Sequence, residues 1–160
     1  MKYLLFVIFL FIIIPGDAQF MSSQAQSFVD PTGTYILKGK FTKSELKGHY
    51  GEIRVKLLDS SSIAMTFYMN SGYPAYFDGF FIDTLNYDGA RAAFSCRGGN
   101  YYKIAFRFTR DEVEISQAYM DPHYSCSFPK GVIFSGFIKK YSGNIPVIKS
   151  LRGDFLRPNG

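Results

Sequence analysis

The chain has 160 residues, a formal net charge of +5 and an aromatic content of 18% without any tryptophan. Its length suits one domain with a sizeable core, and its two cysteines and two histidines lack the spacing of a zinc site. The basic residues are scattered, with no run of five. They predict a solvated basic exterior with weak attraction to anionic surfaces, and they do not favour a nucleic-acid partner.

The N-terminus has the pattern of a secretory signal peptide. Lys2 supplies a positive charge before an unbroken apolar run over 3–14, and small residues at Gly16 and Ala18 form a cleavage site. A membrane anchor is the alternative, but the run is shorter than the roughly 20 residues that span a bilayer. We therefore predict a signal peptide over 1–18, export to the periplasm or the exterior, and no integral membrane segment after cleavage.

A polar leader over 19–30, predicted to be mobile, is followed by runs that alternate apolar and polar residues. In GEIRVKLL, for example, Ile53, Val55 and Leu57 face one way. SIAMTFYM, YKIAFRFT and DEVEIS repeat this two-residue period, which is typical of half-buried strands. Turn signals such as Asp88-Gly89 separate the runs. We predict eight strands, over 33–41, 50–58, 62–69, 76–84, 90–96, 101–109, 111–118 and 131–140.

Eight short strands with hairpin spacing predict an all-β fold. The expected architecture is a single antiparallel β-barrel over 31–140, lipocalin- or calycin-like, with a β-sandwich as the alternative. A barrel of this size is filled by side chains or holds one small ligand. The tail over 141–160 is rich in glycine and proline and has no clean period. We expect it to pack on the barrel or to trail from it.

Cys96 and Cys126 are expected to form a disulfide, because export places them in an oxidising compartment. The alternative is a catalytic pair of Cys126 and His123, oriented by Asp121. Such neighbours in one loop rarely hold the geometry that a thiolate nucleophile requires. The sequence therefore favours a structural role for the cysteines and predicts no catalytic residue.

Other signatures of catalysis are missing from the sequence. It contains no G-x-S-x-G motif, P-loop, EF-hand loop or G-x-G-x-x-G motif. Asp78 and Asp83 are five residues apart, so a regular strand would place them on opposite faces, and such spacing does not define a glycosidase pair. We expect turn or edge carboxylates that bind backbone amides or a nearby lysine. The sequence thus predicts no enzyme, no cofactor and no metal.

Two segments, SGYPAYFDGFF at 71–81 and AYMDPHYSCSFPKG at 118–131, are rich in aromatic residues. Tyrosine is enriched in binding surfaces because it offers a large amphipathic contact. Packing at a barrel end is the alternative reading of the same residues. The candidate binding residues are Tyr73, Tyr76, Asp78, Tyr119, His123, Tyr124, Phe128 and Lys130.

Three stretches carry a resemblance to a known family. They are GEIRVKLLDSSSIAMTFYMNSGYPAYFDGFFIDTLNY, KIAFRFTRDEVEISQ, and a cysteine followed by F-x-x-GV-x-x-x-GF-x-KK. Over about 33–140, they resemble small exported bacterial proteins, mostly uncharacterised, some of which are associated with lysozyme-inhibitor-type domains. The sequence departs from the family pattern at two points. Cys96 precedes the central strand rather than opening it, and the glycines of C-G-F-G are missing after Cys126.

We therefore expect an exported, non-catalytic binding protein that presents aromatic loops at one barrel end to a protein partner. The resemblance implies the sharpest version, an inhibitor or binder of a cell-wall-active enzyme such as lysozyme. The positive charge gives no electrostatic steering toward a basic lysozyme. The alternative is a lipocalin-like carrier of a small hydrophobic ligand, with a cavity lined by Met65, Phe67, Met69, Phe106 and Phe108.

Overall fold

The computed structural model describes residues 27–42, 45–95, 102–119, 128–129 and 131–149. Within these ranges all regular structure is β, as predicted. The strands are β1 (Gly33–Leu37), β2 (Lys40–Thr42), β3 (Glu45–Lys47), β4 (Tyr50–Asp59), β5 (Ser62–Asn70), β6 (Asp78–Asn86), β7 (Arg91–Ser95), β8 (Tyr102–Phe108), β9 (Glu112–Tyr119) and β10 (Gly136–Ser142).

Eight of these strands form one antiparallel sheet that is nearly closed into a barrel, which confirms the predicted fold. Their order is β6-β5-β4-β1-β10-β9-β8-β7. The strands β2 and β3 form a separate two-stranded ribbon on the connection between β1 and β4. Neighbours in the sheet are mostly neighbours in sequence, as expected of hairpin connections.

The two-residue alternation of the strands places the core inside the barrel. Ile53 and Val55 of β4 are fully buried, whereas Lys56, the next residue of the same strand, faces solvent. Aromatic rings fill much of the interior. Phe67 stacks on Phe81 with ring centroids 5.2 Å apart. Offset and edge-on ring pairs of this kind add about 0.5–1.5 kcal/mol each beyond the area they bury.

The seam between β6 and β7 closes the barrel without a continuous ladder of hydrogen bonds. In the described parts of the two strands, backbone pairing is limited to a bridge between Tyr87 and Ala92 beside the hairpin turn. Farther along, the rings of Phe81 and Phe94 stack face to face across the seam, with centroids 4.1 Å apart. The seam is thus held by aromatic packing.

Asp83 lies on the seam edge of β6. The amide of Tyr87 donates to the carbonyl of Ser61, and the register with β5 is unbroken, so even-numbered amides of β6 point toward the seam. The amide of Thr84 is one of these, and Asp83 Oδ1 accepts its hydrogen bond at 2.8 Å. A charged edge residue of this kind discourages pairing with a foreign strand. The expectation of an edge carboxylate is confirmed for Asp83.

The segment before β10 covers one end of the barrel. Phe128, Val132 and Ile133 are buried within the core. The ring of Phe128 lies edge-on to Phe94, with centroids 6.1 Å apart, and against Tyr102 at 5.9 Å. This segment therefore packs at the end of the seam that is farther from the bridge between Tyr87 and Ala92.

Polar contacts hold the same segment in place. Gln117 Nε2 of β9 donates to the carbonyl of Ile133 and to Ser135 Oγ, both at 3.0 Å. His49 Nε2 donates to the carbonyl of Gly131 at 2.7 Å. The covering segment is thus attached to β9 and to His49, the residue that precedes β4.

Two of the predicted strands were wrong in their extent. The strand predicted over 33–41 leaves the main sheet after Leu37, because the chain turns at Gly39 into the β2–β3 ribbon. At Gly39 an added Cβ would crowd the side chain of Leu46. The strand predicted over 131–140 pairs only from Gly136 onward. Its first residues cross the barrel end instead of joining the sheet.

The folded part of the chain begins no later than Ser27, within the leader predicted over 19–30. The amide of Val29 donates to the carbonyl of Gly89 at 2.7 Å. Tyr87 Oη donates to the carbonyl of Val29 at 2.6 Å. These contacts attach the residues before β1 to the β6–β7 turn.

The tail over 141–160 is described as far as Lys149. Its first two residues belong to β10. Ile145 and Val147 are exposed, and the carbonyl of Val147 accepts a 3.3 Å hydrogen bond from Arg54 Nη1. The predicted signal peptide over 1–18 lies outside the described residues, and no helix among those described could cross a membrane.

The absence of a side chain at Gly79 of β6 makes room for the ring of Phe128, because an added Cβ there would overlap that ring. Gly79→Ala should lower the free energy of unfolding by about 1–3 kcal/mol, measured by urea denaturation. Gly143→Ala is the control, since its Cβ would meet no atom within 4 Å; its effect should stay within about 0.5 kcal/mol.

The combination of Gly79→Ala with Phe128→Ala tests the contact itself. Removing the ring makes room for the added methyl group, so the double variant should lose less stability than the sum of the two single losses. Additive losses would contradict this packing of Phe128 on β6.

Candidate functional site

The connection from β5 to β6, residues 71–77, is organised by the buried side chain of Asn70. Asn70 Oδ1 accepts a hydrogen bond from the amide of Gly72 at 2.8 Å. Its Nδ2 donates to the carbonyl of Tyr76 at 3.0 Å. One side chain therefore fixes both arms of this connection, which we name the aromatic loop.

Two further features define the backbone of the aromatic loop. The amide of Ser71 donates to the carbonyl of Phe77 at 2.9 Å, and the amide of Phe77 donates to Ser71 Oγ at 3.1 Å. Tyr76 has a φ of 49°, which is uncommon for a residue other than glycine. Such a conformation persists only where the surrounding contacts determine it.

The aromatic loop is also docked onto the β2–β3 ribbon. The amide of Tyr73 donates to the carbonyl of Leu46 at 2.8 Å. Gly72, with a φ of 72°, approaches the carbonyl of Gly48 so closely that a Cβ would overlap it. Lys47 Nζ lies 5.7 Å from the centroid of the Tyr73 ring, within cation–π range. The ribbon thus acts as a support for the loop.

The loop and the outer face of β6 together expose a group of large apolar side chains. Tyr73 and Tyr76 meet edge to face, with centroids 6.3 Å apart, and Phe80 and Ile82 lie on one face of β6 because strand side chains alternate. We name this group the aromatic surface. It consists of Tyr73, Tyr76, Phe77, Phe80 and Ile82, each between 43% and 50% exposed.

A cluster of polar groups borders the aromatic surface. Burial, together with the nearby Tyr68 and Tyr76, a hydrogen bond with Tyr68, and the charge of Asp78, raises the pKa of Tyr50 to about 12. The phenol of Tyr50 is therefore neutral at physiological pH and serves as a hydrogen-bonding group. The half-buried side chains of Tyr50 and Asp78 therefore place one hydroxyl and one carboxylate at this border, whereas Tyr68 is buried beneath it.

The structure brings three of the predicted binding residues together. Tyr73 and Tyr76 lie in the aromatic loop, and Asp78 opens β6 directly after it. Phe128 is 5% exposed, so the expectation that it contacts a partner is corrected. Its ring packs in the core beside the seam and presents no surface.

The other predicted residues lie outside the described part of the chain. They are His123, Tyr124 and Lys130, the predicted disulfide partners Cys96 and Cys126, and the side chain of Tyr119, whose backbone ends β9. The disulfide and the second aromatic segment therefore stay predictions.

Phe77 and Phe80 lie in the aromatic-rich segment at 71–81 but were not among the predicted binding residues, and Ile82 lies just beyond that segment. Alternation along β6 predicts that Phe80 and Ile82 share a face, but both faces carry apolar residues, so the pattern does not say which face is buried. The aromatic richness of 71–81 was the signal for Phe77 and Phe80, and the apolar character of both faces of β6 was the signal for Ile82.

In the ranges that the structure describes, no three His, Cys, Asp or Glu side chains are placed to hold a metal ion. No protein-family model, curated protein or solved structure matches this chain. The geometry of the aromatic surface is therefore the main guide to function.

Asn70→Ala tests how the loop is held. The variant leaves the amide of Gly72 and the carbonyl of Tyr76 without their partner, which should cost about 1–3 kcal/mol of unfolding free energy. Hydrogen exchange of the amides in 71–77 should accelerate. Asn86→Ala, at an exposed asparagine of β6, is the matched control. Unchanged exchange in the Asn70 variant would contradict the proposed role of this side chain.

Tyr50 should make the free energy of unfolding decrease as the pH rises through the alkaline range. Its pKa rises from 10.0 to about 12 on folding, so its stabilising contribution is complete below pH 10 and is lost as the pH rises through about 12. The difference in unfolding free energy between the wild type and Tyr50→Phe should shrink over this window in urea denaturation. A constant difference would show that Tyr50 ionises alike in both states.

Proposed function

We propose that this protein is an exported, non-catalytic binding protein that holds a protein partner on its aromatic surface. The observation that carries the proposal is the exposure of five large apolar side chains on a loop and strand fixed by hydrogen bonds. Solvent-exposed apolar groups of this extent mark interaction sites in soluble proteins. Export is supported by the signal-peptide pattern of residues 1–18.

The rigidity of the aromatic loop supports a role in binding. Association orders flexible side chains and loops at a cost in free energy, and a surface that is already ordered avoids much of that cost. Tryptophan, tyrosine and arginine are the residues that most often dominate binding energy, and they do so where surrounding contacts exclude water from them. Tyr50 lies close to both Tyr76 and Asp78 and contributes to such a border.

The sharpest form of the proposal is an inhibitor or binder of a cell-wall-active enzyme such as lysozyme. Its support is the resemblance of the chain to exported bacterial proteins associated with lysozyme-inhibitor-type domains. The net charge of +5 provides no steering toward a basic enzyme. Affinity would therefore come from apolar contacts on the aromatic surface.

The alternative proposal, a carrier of a small hydrophobic ligand, has less support. The five residues predicted to line its cavity are fully or almost fully buried. Phe106 lies 6.0 Å from Phe67 and 6.4 Å from Phe108 between ring centroids. These side chains fill the barrel where the ligand of a carrier would sit.

Binding to a panel of immobilised lysozymes and other peptidoglycan hydrolases, measured by surface plasmon resonance, tests the proposal. We expect a micromolar or tighter dissociation constant for at least one enzyme. Phe77→Ser should weaken it roughly tenfold or more, as for an interfacial aromatic anchor. Phe137→Ser is the matched control, since Phe137 of β10 is 54% exposed and Phe77 is 50% exposed.

Three other outcomes of these binding measurements would contradict different parts of the proposal. Absence of binding across the panel would overturn the hydrolase-inhibitor form. Equal weakening by the two phenylalanine variants would remove the aromatic surface as the binding site. Saturable binding of a fluorescent fatty acid that is unaffected by Phe77→Ser would favour the carrier.

A further inference from the structure

A second surface, on the outer face of β7 and β8, brings two arginines side by side. Arg91 of β7 is directly opposite Arg107 of β8 in the antiparallel register. Directly opposed residues have their Cα atoms about 4.5–5.5 Å apart and project to the same face. Like charges in such a pair are destabilising, and an anion between them would relieve the repulsion.

The protein supplies this pair with one carboxylate. Glu114 lies opposite Arg107 on the next strand, and its Oε2 accepts a 2.6 Å hydrogen bond from Arg107 Nε. That contact leaves the terminal nitrogens of Arg107 available. Among the described residues, the guanidinium of Arg91 has neither a salt bridge nor a side-chain hydrogen bond.

Asp88, the acidic residue nearest to Arg91 in sequence, is engaged in the hairpin turn. Its Oδ1 accepts hydrogen bonds from the amides of Ala90 and Arg91 at 3.1 and 2.7 Å. This carboxylate oxygen therefore fixes the backbone at the start of β7. The row across the three strands, Arg91, Arg107 and Glu114, keeps a net charge of +1.

Two grooves meet at the arginine pair. One, of about 1130 Å³, runs along the seam, with small residues such as Ala93 and Ala105 on its floor. Three basic side chains, Arg91, Lys103 and Arg107, and three carboxylates, Asp83, Asp88 and Glu114, line it, so this groove has no excess of positive charge. The small side chains would let a ligand approach the sheet closely.

The other groove, of about 1170 Å³, lies at the barrel end beside Phe28. It adds Arg110 and Lys140 to the two arginines, against the carboxylate of Asp30. The basic groups in this groove thus outnumber the acidic ones.

We propose that Arg91 and Arg107 form a binding site for a tetrahedral oxyanion, a phosphate or sulfate group, with Arg110 as a neighbouring donor. Guanidinium groups present planar forks that bind such groups through paired hydrogen bonds. An anion between the two forks would cancel their repulsion and occupy the point where the grooves meet. This site is separate from the aromatic surface and does not depend on the proposed partner.

Titration with inorganic phosphate and with sulfate, followed by amide chemical shifts at constant ionic strength, tests this site. Constant ionic strength is required because salt screens exposed charges. Saturable shifts should be confined to the amides around Arg91 and Arg107. Arg91→Gln should weaken binding roughly tenfold or more, and Arg91→Lys should restore part of it at most, because lysine lacks the fork.

Lys56→Gln removes one exposed charge from β4, which is separated from the pair of β7 and β8 by three strands in the sheet order, and is the matched control. Arg91→Gln removes a repulsive pair, so its unfolding free energy should not fall below that of the wild type. Shifts that do not saturate, or equal weakening by Lys56→Gln and Arg91→Gln, would overturn the proposal and leave only a diffuse charge effect.

The source of the oxyanion is distinguished by a second arm of the experiment. Sedimentation with vesicles that contain phosphatidic acid, compared with pure phosphatidylcholine vesicles, tests a lipid headgroup. Sedimentation that depends on both phosphatidic acid and Arg91 would assign the site to a headgroup. Phosphate binding without sedimentation would assign it to a soluble phosphate or sulfate ester.

Discussion

The stack of Phe81 on Phe94 replaces a hydrogen-bonded ladder at the point where the barrel would otherwise close. The described backbone pairing of β6 and β7 stops at Tyr87 and Ala92, and the two rings lie 4.1 Å apart across the gap beyond it. Apolar contact is less directional than hydrogen bonding, so the seam tolerates a departure from strand geometry that a ladder would not. The buried ring of Phe128 extends the same packing to the end of the barrel.

The seam leaves β6, the strand that carries part of the aromatic surface, at one end of the strand order. A strand within a continuous sheet has neighbours on both sides, whereas β6 lies at the end of the strand order. Phe80 and Ile82 face outward on this strand, while Phe81 and Leu85 face the core. Asp83 adds a charge at the edge, which disfavours strand addition. The apolar outer face is therefore available for side-chain contacts, while the backbone edge is protected.

Much of the fold could be predicted from the sequence because most strands are half-buried and alternate. The exception is β5, which is buried on both faces from Met65 to Asn70. Ile53, Val55, Ile104 and Phe106 are buried as their period indicates. The aromatic loop was predicted only in part. Tyr73 and Tyr76 follow from composition, but the role of Asn70 depends on distances between backbone atoms that no local pattern encodes.

The position of Phe128 and the pairing of Arg91 with Arg107 were beyond prediction for a different reason. Both depend on contacts between residues far apart in sequence or on the register of two strands. A register shift of one residue would move Arg91 to the other face of the sheet. The charge pattern of the sequence is scattered, and the fold alone brings these two arginines together.

The β6–β7 turn is the element that relates the two surfaces. It fixes the end of β6, which carries the aromatic surface on its outer face, and the start of β7, which carries Arg91. Asp88 bonds the amides at the start of β7, and the leader contributes a further hydrogen bond through Val29. A ligand at the arginine pair would contact the same turn. Since the turn also sets where β6 begins to separate from β7, an anion bound there would stabilise the seam as well as neutralise the charge.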